Sequence, residues 1–192
     1  MRDHPDLDVN WQDPNQWTPL RHASFSGHAE IVKLLLAHPN IEVNLKNYFG
    51  ETPILLGCNG RVAVVELLLK DPRVDVTLDD TDGCTPLWLA VRNGYHEVIE
   101  WLMASGRDLG DIKSKKGRHW GDGREYTALE IARVEKNTEV VSLLERFMTD
   151  PIQTRHEVRV KLGMLDALAA EVFALTVFLC DEYECVCVCV CV

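Results

Sequence analysis

Thr18-Pro19-Leu20 returns as Thr52-Pro53-Ile54, Thr85-Pro86-Leu87 and Thr127-Ala128-Leu129, at spacings of 34, 33 and 42 residues. Self-similarity near this period constrains the fold more than any local propensity does. A second signal follows each copy at a nearly constant distance. It reads Ile31-Val32-Lys33-Leu34-Leu35-Leu36, then Val64-Val65-Glu66-Leu67-Leu68-Leu69, then Val98-Ile99-Glu100-Trp101-Leu102-Met103, then Val140-Val141-Ser142-Leu143-Leu144. A third links the units, as Ile41-Glu42-Val43-Asn44 and Val74-Asp75-Val76-Thr77.

The physics of one unit can be read directly. Thr before Pro marks a helix start: the hydroxyl caps free N–H groups, and Pro at the first helical position has no N–H to leave unpaired. Gly27, Gly60 and Gly94 follow eight or nine residues later and stop a short helix. The Ile-Val-x-Leu-Leu-Leu block opens a second helix with a broad apolar face. Turn-forming residues precede each Thr: Asp13-Pro14-Asn15, then 47–50, then 80–83. Neither helix buries its apolar face alone, so the units must stack.

These residues resemble the ankyrin repeat over residues 4 to about 147. Gly83-Cys84-Thr85-Pro86-Leu87 with Ala90 and Gly94 carries the family motif, as do 15–36 with Gly27-His28-Ala29-Glu30. The departures are specific. The family often has His after Thr-Pro-Leu, where this chain has Arg21, Leu55, Trp88 and Glu130. Repeat two is one residue short near Gly60 and has Gly57 where Ala is usual. The resemblance implies an all-α ankyrin-repeat solenoid of about four repeats plus a C-terminal helix. The expected organisation is an array over 1–149, with units near 10–43, 44–76, 77–109 and 122–147 and an inserted loop at 110–121. A helical segment at 150–183 and a Cys/Val tail at 184–192 follow.

The resemblance also implies a non-catalytic protein-binding module whose turn tips and first-helix ends form a concave face. Residues at matching positions are Asn15, Trp17, Phe25, Tyr48, Phe49, Glu51, Asp82, Arg92, Asn93, Arg124 and Tyr126. The aromatics among them sit beside turns, where the fold needs no large apolar group, although any one could fold back onto its own repeat. Arg92 and Arg124 are positive points on an acidic body, so a ligand bearing carboxylates suits them.

Composition narrows the partner class. Twenty Lys+Arg stand against 30 Asp+Glu, a net charge of −10. Nucleic acid and anionic membranes both call for basic surface, so the expected partner is a protein. Of seven Cys, Cys58 and Cys84 stand alone and the rest crowd the last 13 residues. That is not a disulfide framework, and no secretory leader opens the chain, so a reducing cytoplasmic or nuclear setting is expected. The apolar stretch from Gly163 to Cys180 carries Asp166 and Glu171. Each costs about 3 kcal/mol at a bilayer centre, so a buried helix is expected there rather than a span.

Four further features lie outside the regular pattern. Lys113 to Arg124 form a basic, Gly-rich insertion, readable as a solvated mobile excursion or as a contact loop anchored by Trp120. His4 to Asn10 align with His38 to Asn44, so the chain opens where an earlier unit would end. The expectation is a fragment, or a start whose first apolar face a partner covers. A helix is expected from about Arg155 to Tyr183, with Pro151 breaking the one before it. The alternating Cys185 to Val192 suggests soft-metal ligands. However, alternate side chains on a strand lie about 7 Å apart, too far for one zinc with bonds of roughly 2.3 Å. A translated GT dinucleotide run explains the alternation more simply.

No phosphate loop, nucleophile elbow or zinc-protease motif is present in the sequence, so no catalytic residue, cofactor or metal is expected. Cys58 falls on a core position, whereas Cys84 at its turn is expected to be exposed. Two rival readings stay open: a regulatory piece of a larger enzyme or channel, and a metal or thiol protein acting through its tail.

Overall fold

A computed structural model describes residues 8–164. Four helix pairs run along the chain: α1 (Pro19–Ser26) with α2 (Ala29–Leu36), α3 (Pro53–Gly57) with α4 (Val62–Lys70), α5 (Pro86–Arg92) with α6 (His96–Ala104), and α7 (Ala128–Val134) with α8 (Thr138–Thr149). A further helix, α9, spans Pro151–Lys161. The first helices α1, α3, α5 and α7 pack in sequence as one layer, and α2, α4 and α6 form the other.

Each first helix starts as its sequence dictates. The hydroxyls of Thr18, Thr52, Thr85 and Thr127 accept hydrogen bonds from the backbone N–H of Arg21, Leu55, Trp88 and Glu130. Three of these helices have Pro at the first turn. The fourth has Ala there and closes a capping box instead, its Glu130 carboxylate accepting from the Thr127 N–H at 2.8 Å. The single-residue deletion in repeat two shortens α3 to five residues, and a Cβ on Gly57 would touch Val64 at 3.3 Å.

One apolar core runs through all four pairs, with Leu20, Ile54, Leu87, Val32, Leu68, Ile99, Ile131 and Leu144 among its buried members. The position that often holds His is buried in the first three repeats, as Arg21, Leu55 and Trp88. In the fourth, Glu130 serves the cap.

Polar ties join successive units at fixed register. The Asn44 amide accepts from the Asp75 N–H at 2.9 Å and donates to the Arg73 carbonyl at 2.8 Å. Asn10 does the same one unit earlier, accepting from the Glu42 N–H at 2.9 Å and donating to the Asn40 carbonyl at 2.8 Å. Arginines close the C-terminal ends of the second helices, where carbonyls lack intrahelical partners. Arg73 donates to the Leu36 carbonyl at 2.9 Å. Arg107 donates to the Leu69, Val74 and Asp71 carbonyls at 3.0, 3.0 and 2.5 Å.

Helix α9 departs from expectation. It begins at Pro151, capped by the Asp150 side chain, because Pro fits a first helical turn as well as it ends an earlier helix. Its helical residues end at Lys161, with Gly163 at φ 71° just beyond, so the helix expected from 155 does not run unbroken. Residues past 164, with the rest of that expected helix, the remainder of the Gly163–Cys180 stretch and the Cys/Val tail, lie outside the described residues. Helix α9 packs against both α6 and α8. Arg155 and Arg159 donate to the Met103 and Ala104 carbonyls at 3.1 and 2.8 Å, doing for α6 what Arg73 and Arg107 do for α2 and α4. Among the described residues, no helix is long and apolar enough to cross a membrane.

Candidate binding surface

The turns before α1, α3 and α5 are each organised by one side chain. Asp13 Oδ1 accepts from the N–H of Asn15 and Trp17, both at 2.8 Å. Asn47 Oδ1 accepts from Phe49 and Glu51 at 3.0 and 2.9 Å. Asp80 Oδ1 accepts from Asp82 and Cys84, both at 2.9 Å. Such turns push the residues between them outward.

In repeat one Asn15 is exposed, but Trp17 leans on α1, its ring 4.9 Å from His22 and edge-on to Phe25 at 5.6 Å. In repeat two Tyr48 and Phe49 both project into solvent. Glu51 is half-buried and accepts from the Asn47 amide at 2.7 Å. The Phe49 carbonyl accepts from the Thr81 N–H at 2.9 Å, which ties the repeat-two tip to the turn of repeat three.

The insertion folds as a two-stranded hairpin. Strand β1 (Lys116–Arg118) pairs antiparallel with β2 (Glu125–Thr127), Gly117 facing Tyr126. It lies tightly on repeat three. A Cβ on Gly117 would stand 2.9 Å from Cys84 Sγ and 3.0 Å from the Trp88 ring. The Arg118 N–H donates to the Asp82 carbonyl at 2.9 Å, and the Trp88 indole donates to the Tyr126 carbonyl at 2.7 Å. Cys84 is therefore buried, not exposed, and burial with nearby Asp80 pushes its thiol up to about 12. Burial also raises the Asp80 carboxyl above its usual range. Asp13, at the same place in repeat one, is lowered, first by its hydrogen bond from Trp17.

The hairpin tip has its own network. Asp122 Oδ2 accepts from the Tyr126 hydroxyl at 2.6 Å, and its Oδ1 accepts from the Arg124 N–H at 3.0 Å. Those bonds, Tyr126 first, hold its carboxyl down to about 2. The same bond raises the Tyr126 phenol. His119 sits between Asp122 and Glu135, at 3.1 and 3.2 Å.

Here the structure assembles five of the expected residues. The Trp120 indole donates to Asp82 Oδ2 at 2.9 Å, and the Arg92 guanidinium lies 5.2 Å from its ring and 5.7 Å from that of Trp88. Arg92 Nε donates to the Asn93 amide oxygen at 3.2 Å, and Asn93 donates to Asn59 at 3.1 Å. Arg124 and Tyr126 complete the group on the hairpin. Trp88, Asn59 and Asp122 belong to it too, and repeat position alone does not reveal them. The pairing across 38 residues between Trp120 and Asp82 depends on where the insertion folds. Among the described residues, no cluster of His, Cys, Asp and Glu could hold a metal ion.

Four stacked helix pairs with capped Thr starts and asparagine ties define a helical repeat solenoid. The ankyrin-repeat family, described as three copies, matches residues 4–80 and 73–153. The chain belongs to the ankyrin-repeat family. No curated protein matches it significantly. Ankyrin repeats are generally protein–protein interaction modules, and such domains are typically non-catalytic.

Proposed function

We propose that this chain binds a protein partner, without chemistry of its own, through the side formed by its turn tips and first helices. One observation carries the reading. Large side chains stand largely in water at these positions: Trp120 is 69% exposed, Phe49 66% and Tyr48 63%. Aromatics with arginine dominate interface hot spots, and Arg92 lies beside the largest of these rings. The two described cysteines are free and buried, which suits the reducing cytoplasmic or nuclear setting expected of it.

Alanine changes at Tyr48, Phe49 and Trp120, assayed against a partner captured with the full chain, test the reading. At least one is expected to cost about 2 kcal/mol or more of affinity with an unchanged melting temperature. Normal binding by all three variants defeats it.

A further inference from the structure

We propose that Arg92, held between the indoles of Trp88 and Trp120, is a carboxylate receptor, and that the segment it takes is an acidic peptide of the partner protein. This rests on the binding face proposed above and names its chemistry at the junction of repeats three and four.

The guanidinium is held in place before any ligand arrives. Trp88 is a buried floor and Trp120 an exposed wall, at 5.7 and 5.2 Å from Arg92 Cζ. The Nε edge is tied to Asn93, which is itself tied to Asn59. Stacking on aromatic faces leaves the in-plane N–H groups of arginine available, and these match a carboxylate two-by-two. Among the described residues, neither terminal nitrogen of Arg92 meets a hydrogen-bond acceptor or an acidic side chain. This happens on a chain with ten more acidic than basic residues. Asp82 is already engaged by the Trp120 indole at 2.9 Å and by Arg118 at 3.8 Å.

The neighbourhood has the complementary charge. The insertion carries Lys113, Lys115, Lys116, Arg118 and Arg124 against Asp111, Asp122 and Glu125. Lys115 is paired with Asp79 and Arg118 with Asp82. The exposed Trp120 ring supplies an apolar surface for the residue next to the acid. A charge-assisted pair beside an aromatic anchor gives both affinity and register.

The test uses the full chain and random peptides displayed on phage. Wild type is expected to enrich peptides with Asp or Glu beside a large apolar residue. Changing that acid to its amide in the synthetic peptide should weaken binding by about tenfold or more. Arg92→Lys keeps the charge and the stem but loses the fork. It should weaken the acidic peptide similarly while leaving the amide peptide, and the melting temperature, unchanged. Enriched peptides that lack an acid, or that ignore Arg92→Lys yet fail on Tyr48→Ala, overturn the carboxylate receptor and leave the binding face standing. Equal binding of acid and amide peptides, with displacement by inorganic phosphate, also overturns it in favour of a phosphate fork. Peptides insensitive to Tyr48, Phe49, Trp120 and Arg92 alike overturn both the receptor and the face.

Discussion

Leu34 and Leu143 hold the same register, each sixteen residues after its capping Thr, yet Leu34 is 63% exposed and Leu143 6%. Ile31 is likewise exposed while Val140, its counterpart, is fully buried. The second helices differ in their neighbours. Helix α2 packs against α4, whereas α8 is covered by α9. In a stacked array, burial is a property of the interface and not of the repeat's own residues. Helix α9 is not a repeat, but it brings the same guanidinium contacts to open carbonyls that the repeats bring to one another.

The comparison breaks most visibly under paired truncation. Leu143→Ala should destabilise by about 2–4 kcal/mol, and Leu34→Ala by less than about 0.5 kcal/mol, in urea unfolding followed by circular dichroism. Equal losses would mean that α2 is covered in solution. Hydrogen exchange should agree, with residues 8–36 opening before α4 and α6.

Next come the arginine ties. Arg107→Ala leaves several carbonyls at the end of α4 without their charged donor and should cost about 1.5–3 kcal/mol. Arg73, more exposed and with one carbonyl contact to the preceding repeat, should cost under about 1 kcal/mol. A reversed order in the same unfolding assay would show that exposure does not govern these ties.

A smaller effect sharpens the contrast among repeats. Gly27, Gly60 and Gly94 take left-handed backbone after the first helices, but the fourth repeat puts Lys136 there at φ 57°. Lys136→Gly should stabilise by about 0.5–1 kcal/mol, the left-handed strain relieved less the added chain entropy. Gly94→Ala should destabilise, since its Cβ would meet Asn137 at 3.0 Å. Differential scanning calorimetry decides both signs.

The smallest effect is electrostatic. Asp122 has its carboxyl lowered from 3.8 to about 2 in the fold, so its contribution is complete above about 3.8 and lost as pH falls towards 2. The Tyr126 and His119 resonances should shift together in that window, and Asp122→Asn should abolish the transition. Resonances that stay flat from pH 4 to 2 would place Asp122 outside the hairpin network.

Much of this was legible beforehand because its causes are local. The four Thr caps, the proline starts and the apolar second helices follow from residues within one turn of each other. Two readings failed where the cause is distant. Cys84 is buried because Gly117 brings the hairpin against it. Helix α9 ends before the apolar stripe does because Gly163 interrupts it. Trp17 also leans on α1, because His22 and Phe25 come within reach only once the helix has formed.

The periodic sequence by itself determined that helix pairs form and must stack, since capping and apolar periodicity act over a few residues and repeat identically. Only the tertiary structure decided which equivalent positions are covered and which are left in water. It also decided that Trp120 would close over Arg92 rather than trail into solvent. Contacts between residues some thirty or more apart depend on how neighbouring units and the inserted hairpin fit together, and no single unit's sequence encodes that fit.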